Sequence, residues 1–209
     1  MSDKDNYTNE PLLYLASSSP RRKELLSEIG VQFEVISQSV DESLKIEESP
    51  ASYVMRLAQN KAEAGRDVLP GENLVPVLGA DTIVVCQGEI LGKPVNEADA
   101  KRMLSLLSGQ WHEVLTAVCL TNGNKSKIIT SKSRVKFRTL SEEEIELYWL
   151  SGEPQDKAGS YAIQGLGGIF VERLEGSYSG VVGLPIYETA ELLKTFEITI
   201  KNLIAENRQ

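Results

Sequence analysis

The sequence predicts an α/β protein built on a mixed sheet. Strand-like and helix-like segments interleave along the 209 residues without forming a regular βαβ array. Two connections, Gln87-Gly88-Glu89 and Asn122-Gly123, read as hairpin turns, and hairpins demand antiparallel neighbours. The length supports a sizeable core and suits one large domain or two small lobes.

The elements follow in order. Leu12 to Ala16 is a short apolar strand, and Pro20 to Ile29 a helix with Ser19 as N-cap and Gly30 as its stop. Val31 to Ile36 alternates like a strand. Ser37 to Ser49 is polar, with Asp41 and Glu42 at its centre. Pro50 to about Arg66 is a helix with Val54, Leu57, Ala58, Ala62 and Gly65 on one face. Val75 to Cys86 is a long buried strand. Glu97 to Leu107 is a helix closed near Gly109. Glu113 to Thr121 and Lys127 to Arg138 form the second hairpin. Ser141 to Leu150 is a helix with a Ser141–Glu144 capping box. A glycine-rich loop region from Ser151 to Gly168 leads to a strand at Ile169 to Arg173 and a helix at Pro185 to Thr195. Residues 1–11 are expected to be a loose tail, 12–196 one domain, and 197–209 a further helix or a frayed end. A boundary between lobes is expected near Leu107 to Trp111.

Composition excludes several functions. The net charge is −8, so a polyanion site must be a local basic pocket rather than a global basic field. Nucleic acid is therefore not an expected partner. No apolar run approaches the ~20 residues of a membrane span, and the polar residues at the start do not read as a signal peptide. Cys86 and Cys119 sit in apolar runs without CxxC spacing, as small core residues of a reducing compartment do. The expected location is the cytoplasm. His112 is the single histidine, which argues against a zinc site and a Ser-His-Asp triad.

Four residue placements break the local rules, and such breaks concentrate at sites. First, the helix opening at Pro20 continues Arg21-Arg22-Lys23. Cations there oppose the helix dipole at about 0.3–1 kcal/mol each when exposed and unpaired. They suit a helix start that receives a phosphate, or else a solvated turn paired with nearby acids. Second, Asp81 interrupts the apolar run Val77 to Val85. A buried acid there needs a cation or a metal. By period two it shares a face with Gly79, which leaves room for a ligand or a close backbone. Third, a hairpin at Gln87 to Glu89 sets Lys93 opposite Thr82 to Val84, within a rung or two of Asp81. Acid and base together suit a metal–phosphate site or an ordinary ion pair. Fourth, Lys61 falls on the apolar helix face, as a ligand-directed cation or a snorkelling rim lysine. Asp41 and Glu42 offer oxygen ligands to a hard metal, although acidic loops are commonly just solvated. Gln164, in the glycine-rich loop, can both donate and accept toward a base edge. That loop matches neither Walker A nor GxGxxG.

Taken together, Leu15-Ala-Ser-x-Ser-Pro-Arg-Arg22, Gly79-Ala-Asp-Thr82, Gly92-Lys-Pro94, Leu107-Ser-Gly109, Asp156-Lys-Ala-Gly159, Ile163-Gln-Gly165 and Val182-Gly-Leu-Pro185 resemble the Maf proteins, nucleoside triphosphate pyrophosphatases, from about Leu13 to Leu193. Ser18, where glycine or threonine is frequent, is a small departure. The resemblance implies a two-lobed α/β fold related to inosine triphosphate pyrophosphatases, with a cleft between the lobes. It implies a divalent metal, Mg or Mn, and commonly a homodimer. It makes Asp81 the catalytic acid and metal ligand. Glu42 becomes a second ligand, and Ser17, Arg21, Arg22, Lys61 and Lys93 bind substrate. Arg21, Thr82 and Gln164 look like the branch acting on dTTP and UTP. The substitutions of the 7-methyl-GTP branch are absent. On this expectation Asp81 is the base for attack at the α-phosphorus, the cations neutralise the triphosphate, and Gln164 with Thr82 favours a pyrimidine. The competing expectation is a nucleotide-sensing regulatory protein without turnover.

Overall fold

The computed structural model describes residues 11–71, 73–199 and 201–203. The expected tail through Glu10 lies outside them, as does most of the expected C-terminal segment. The strands are β1 (Leu13–Leu15), β2 (Phe33–Val35), β3 (Val77–Cys86), β4 (Glu89–Leu91), β5 (Trp111–Thr121), β6 (Ser126–Phe137) and β7 (Val171–Glu175). The helices are α1 (Pro20–Glu28), α2 (Pro50–Asp67), α3 (Glu97–Leu107), α4 (Glu142–Leu150), α5 (Tyr178–Val182) and α6 (Ile186–Lys194). The glycine-rich region folds as three 3₁₀ turns at Glu153–Asp156, Ala158–Ser160 and Leu166–Phe170. The expected mixed sheet is present; the short helix α5 is an addition to it. Ser141 and Glu144 make both bonds of the capping box.

The seven strands form one sheet in the order β2-β1-β3-β5-β6-β7, with β4 also on β3. β1 is parallel to β2 and β3, and every other pair is antiparallel. Along one edge, β3 pairs with β1 at Val77 and Leu78, then with β4 from Val84 to Cys86. Between Leu78 and Val84 that edge has no strand partner, while the other edge is paired with β5 from Val77 to Val85. The interruption is the structural origin of the cleft described below. Gln87 and Gly88 both have positive φ, 52° and 84°, as a two-residue I′ hairpin requires. The turn closes with Cys86 opposite Glu89.

One face of the sheet carries two apolar clusters. The first gathers Leu13, Leu15, Leu26, Leu78, Ala80, Val118 and Leu120 with α1 and α6. The second gathers Val84, Leu91, Leu104, Val114, Phe137 and Tyr148 with α3 and α4. On this face β3 presents residues 78, 80, 82 and 84, and β5 presents 114, 116, 118 and 120. The rung between the clusters is therefore Thr82 opposite Thr116. The lobes meet at that polar rung, not at Leu107 to Trp111. Leu107 belongs to the second cluster, and the connection after it is bonded to that lobe through Gly109 N–H to Arg138 O at 3.1 Å. The opposite face is covered by α2, whose Val54, Ala58 and Ala62 pack on Ile83, Val85, Leu115 and Ala117.

His112 is 2 % exposed and sits edge-on to Phe137 and Tyr161, with Nε2 2.9 Å from the Tyr161 hydroxyl. Burial drives its pKa from 6.5 down to about 3. A base whose folded pKa is depressed stabilises the fold above its unfolded pKa, and that contribution is lost as pH falls toward the folded value. Between pH 6.5 and 5 the loss amounts to about 2 kcal/mol at 1.36 kcal/mol per pH unit. Thermal melts at pH 7 and pH 5 should show this loss in the wild type and its absence in His112→Gln. Equal losses in both proteins would refute the assignment.

Candidate active site

The open stretch of β3 forms the floor of a cleft of about 690 Å³. From the β1 side the chain leaves the sheet at Ala16 and turns through Ser17–Ser19 into α1. From the other side β4 ends and Gly92-Lys93 turns away. Each of the expected site residues Ser17, Arg21, Arg22, Glu42, Lys61, Asp81, Thr82, Lys93 and Gln164 lines this cleft.

Asp81 and Thr82 are neighbours in sequence and therefore face opposite sides of the sheet. Asp81 faces α2 and is 7 % exposed. Its partner is Lys61, whose Nζ donates to Oδ1 at 2.7 Å. Of the two readings of Lys93 beside Asp81, the ordinary ion pair is not made; Lys61 is the ion-pair partner because α2 crosses directly over β3. Lys61 Nζ also meets Glu42 Oε1 at 2.6 Å. Two carboxylates thus converge on one cation. Asp81 Oδ2 takes no donor from the described residues.

Glu42 reaches this point because α2 grips its loop. Tyr53 Oη donates to Glu42 O at 2.7 Å, and Arg56 donates to Ser43 O at 3.0 Å and to both oxygens of Glu48 at 2.6 Å. Burial pushes the Glu42 carboxyl up, but the Lys61 hydrogen bond and charge, with Lys93 and Arg22 behind it, hold it below its ordinary value. Tyr53 and Arg56 leave no signal in the sequence, since their partners lie in a loop without regular structure.

Gly79 settles the choice left open between a ligand and a close backbone. A Cβ there would lie 2.4 Å from Ala58 O and from Ala62 N. The glycine admits the α2 backbone and so lets Lys61 reach Asp81.

On the other face Arg22 is fixed by three acceptors. Nε donates to Gly183 O at 2.9 Å, one terminal nitrogen to Ser17 Oγ at 3.2 Å and the other to Thr82 Oγ1 at 3.2 Å. Thr116 gives its proton to Gly180 O at 2.7 Å. The Thr82 proton must then go to Thr116 Oγ1, 3.0 Å away, because Arg22 only donates. Thr82 thus orients Arg22 and has no proton left for a base. Thr116 is missing from the expected set, although a hydroxyl in the apolar run of β5 is the same kind of signal as Asp81. Burial lowers the Arg22 pKa and the repulsion of Arg21 lowers it further, while Asp81 and Glu42 act upward.

Ser19 occupies the N-cap of α1 but makes no side-chain cap, and the first turn holds no acid. Arg21 and Lys93 make no hydrogen bond or ion pair among the described residues. The cleft therefore has an uncapped helix start and two unpartnered cations on one side, and a carboxylate pair on the other. That arrangement accepts an elongated polyanion. Gln164, exposed and without a hydrogen-bond partner among the described residues, stands on the far lobe within the glycine-rich region.

Among the described residues no three Asp, Glu, His or Cys side chains gather as a metal cage. Asp81 and Glu42 nevertheless fit a hard divalent cation. Their oxygens already converge on the Lys61 ammonium, and Mg²⁺ is commonly held by one or two carboxylates plus substrate phosphates. No helix among the described residues is long and apolar enough to cross a membrane.

The family of Maf-like proteins matches residues 12–196. A protein of Hahella chejuensis named dTTP/UTP pyrophosphatase is 56% identical over 188 residues, covering 90% of this chain and 94% of that one. One of Vibrio cholerae with the same name is 55% identical over 184 residues, covering 88% and 97%. Among solved structures, the Staphylococcus aureus Ham1 protein aligns over 60% of this chain and 71% of its own, at 14% identity and a TM-score of 0.44.

Proposed function

The chain belongs to the Maf family, and from that premise we propose that it hydrolyses dTTP and UTP to the nucleoside monophosphate and pyrophosphate. The observation that carries the proposal is the Asp81 carboxylate. It stands on the open edge of β3 with Oδ1 held by Lys61, in the lining of a cleft that also carries Arg21, Arg22 and Lys93. A nucleotide sensor needs the cations but not this carboxylate.

In the proposed reaction a water oxygen forms a bond to the α-phosphorus while the bond from that phosphorus to the bridging oxygen breaks. Asp81 takes the water proton, and pyrophosphate leaves. Lys61 keeps Asp81 and Glu42 oriented. Arg22, held by Ser17, Thr82 and Gly183, presents its remaining N–H groups to the phosphates in fixed geometry. Arg21 and Lys93 neutralise charge on the leaving group, and Ser17 Oγ keeps a proton to donate. A divalent metal held by Asp81 and Glu42 would add charge neutralisation and acidify the water. Base selection rests with Gln164, whose amide matches the donor–acceptor edge of a pyrimidine. The acidic net charge and the confined basic cleft support free nucleotides, rather than nucleic acid, as partners.

The test is a panel of nucleoside triphosphates with Mg²⁺ or Mn²⁺ and with chelator, following pyrophosphate and orthophosphate separately. Pyrophosphate from UTP and dTTP, abolished by chelation, is expected. Orthophosphate as the first product would indicate a different phosphatase chemistry. Nucleotide binding without any turnover would favour the sensor.

A further inference from the structure

Glu153 lies outside the cleft lining, behind the loop that carries Gln164. We propose that Glu153, working with Tyr148, is a positioning residue for base recognition, holding the loop from Ala162 to Gly167 so that Gln164 faces the cleft. The inference rests on the reading above that Gln164 meets the base.

The loop has little regular structure of its own. Gly165 N–H reaches back to Ala162 O at 3.3 Å, which folds Ile163 and Gln164 into a turn. Ile163 packs on both apolar clusters, and the side-chain hydrogen bonds that hold the turn come from two residues. Leu166 N–H donates to Glu153 Oε2 at 2.9 Å, and Gly167 N–H to Oε1 at 2.9 Å. Tyr148 Oη donates to Glu153 Oε1 at 2.7 Å and accepts from Ala162 N–H at 3.1 Å. The chain is thus pinned two residues before Gln164 and two and three residues after it. Tyr148 itself is 4 % exposed and packs edge-on to Phe170, with ring centroids 4.9 Å apart, so the anchor is rigid. The contact is also close. A Cβ on Gly165 would lie 2.0 Å from Glu153 Oε2, and one on Gly167 would lie 2.5 Å from Tyr148 Oη. The two glycines are the space that the clamp occupies.

The clamp requires a carboxylate. Three donors converge on its two oxygens, whereas an amide would turn an NH₂ group toward one of them. Burial pushes the Glu153 carboxyl up, but the bonds from Gly167, Tyr148 and Leu166, with the charge of Lys157, bring it below the ordinary value.

The experiment compares wild type, Glu153→Gln, Tyr148→Phe and Gln164→Ala by two readouts, with thermal melts to confirm folding. One is KM for UTP. The other is the inhibition constant of inorganic tripolyphosphate, which carries the phosphates but no base. Glu153→Gln and Gln164→Ala should each raise KM for UTP about tenfold and leave the tripolyphosphate constant unchanged; Tyr148→Phe should move in the same direction. An unchanged KM in Glu153→Gln overturns the proposal. Parallel weakening of UTP and tripolyphosphate also overturns it, because a general loss of structure moves both. If Gln164→Ala alone leaves KM unchanged, Gln164 does not meet the base and the proposed route falls. A wild type that turns over no triphosphate defeats the functional reading itself, an outcome distinct from these.

Discussion

Asp81→Asn should lower kcat for UTP and dTTP by about 10³-fold or more while leaving the fold intact. General-base catalysis contributes about 10²–10⁴-fold, and this substitution also removes one charge from the carboxylate pair. The fold survives because the asparagine amide keeps an oxygen for Lys61 Nζ at the position where Oδ1 lies 2.7 Å away, and Lys61 keeps Glu42 at 2.6 Å. No buried cation is left alone, which is the situation that makes truncation of a buried ion pair costly. Pyrophosphate release and a thermal melt on the same preparation give the result. Full activity in the variant would remove Asp81 from the chemistry. Loss of activity together with a collapsed melting transition would make Asp81 a structural residue.

The parts of this site that were legible in the sequence were those governed by local periodicity. Alternation along β3 sets Asp81 and Gly79 on one face, and the structure has them there beneath α2. The I′ turn at Gln87-Gly88 fixes the register of β4 as far as Val84 opposite Leu91; the chain then leaves the sheet, so Lys93 lines the cleft without being paired opposite Thr82. The helical period put Lys61 on the apolar face of α2. Its partner was the missing step: the distance between Lys61 and Asp81 depends on how closely α2 lies on the sheet, a tertiary quantity. The same limit hid Tyr53, Arg56 and Glu153, and hid the partner of Thr116, though not its polar placement in an apolar run. Each acts through a bond to a backbone group distant in sequence or in an irregular loop, such as Gly180 O for Thr116 or Leu166 N–H for Glu153. Periodicity carries no information about such bonds. The lobe boundary was misplaced for a related reason: the chain enters both lobes more than once. What divides them is a cross-strand pair, Thr82 and Thr116, rather than a stretch of sequence.

Gly79→Ala tests the dependence of the site on that helix–sheet distance. The added Cβ would lie 2.4 Å from Ala58 O and Ala62 N and 2.9 Å from Ala62 Cα. These are backbone atoms of α2, so no rotamer change relieves the clash. Restoring ordinary contact requires α2 to lift by about 1 Å, and overpacking of this kind costs about 3 kcal/mol. For a chain of this length the melting temperature should fall by roughly 6–12 °C. Activity should fall as well, because α2 carries both Lys61, which sits between Asp81 and Glu42, and Tyr53, which holds the Glu42 backbone. A 1 Å misplacement of a catalytic group costs on the order of 10²-fold in rate. Gly71→Ala is the control, since a Cβ there meets nothing within 4 Å, and it should leave both quantities unchanged. A Gly79→Ala protein that melts with the wild type would show that α2 does not rest on β3 at this glycine. One that is destabilised yet fully active would show that Lys61 does not depend on the close approach.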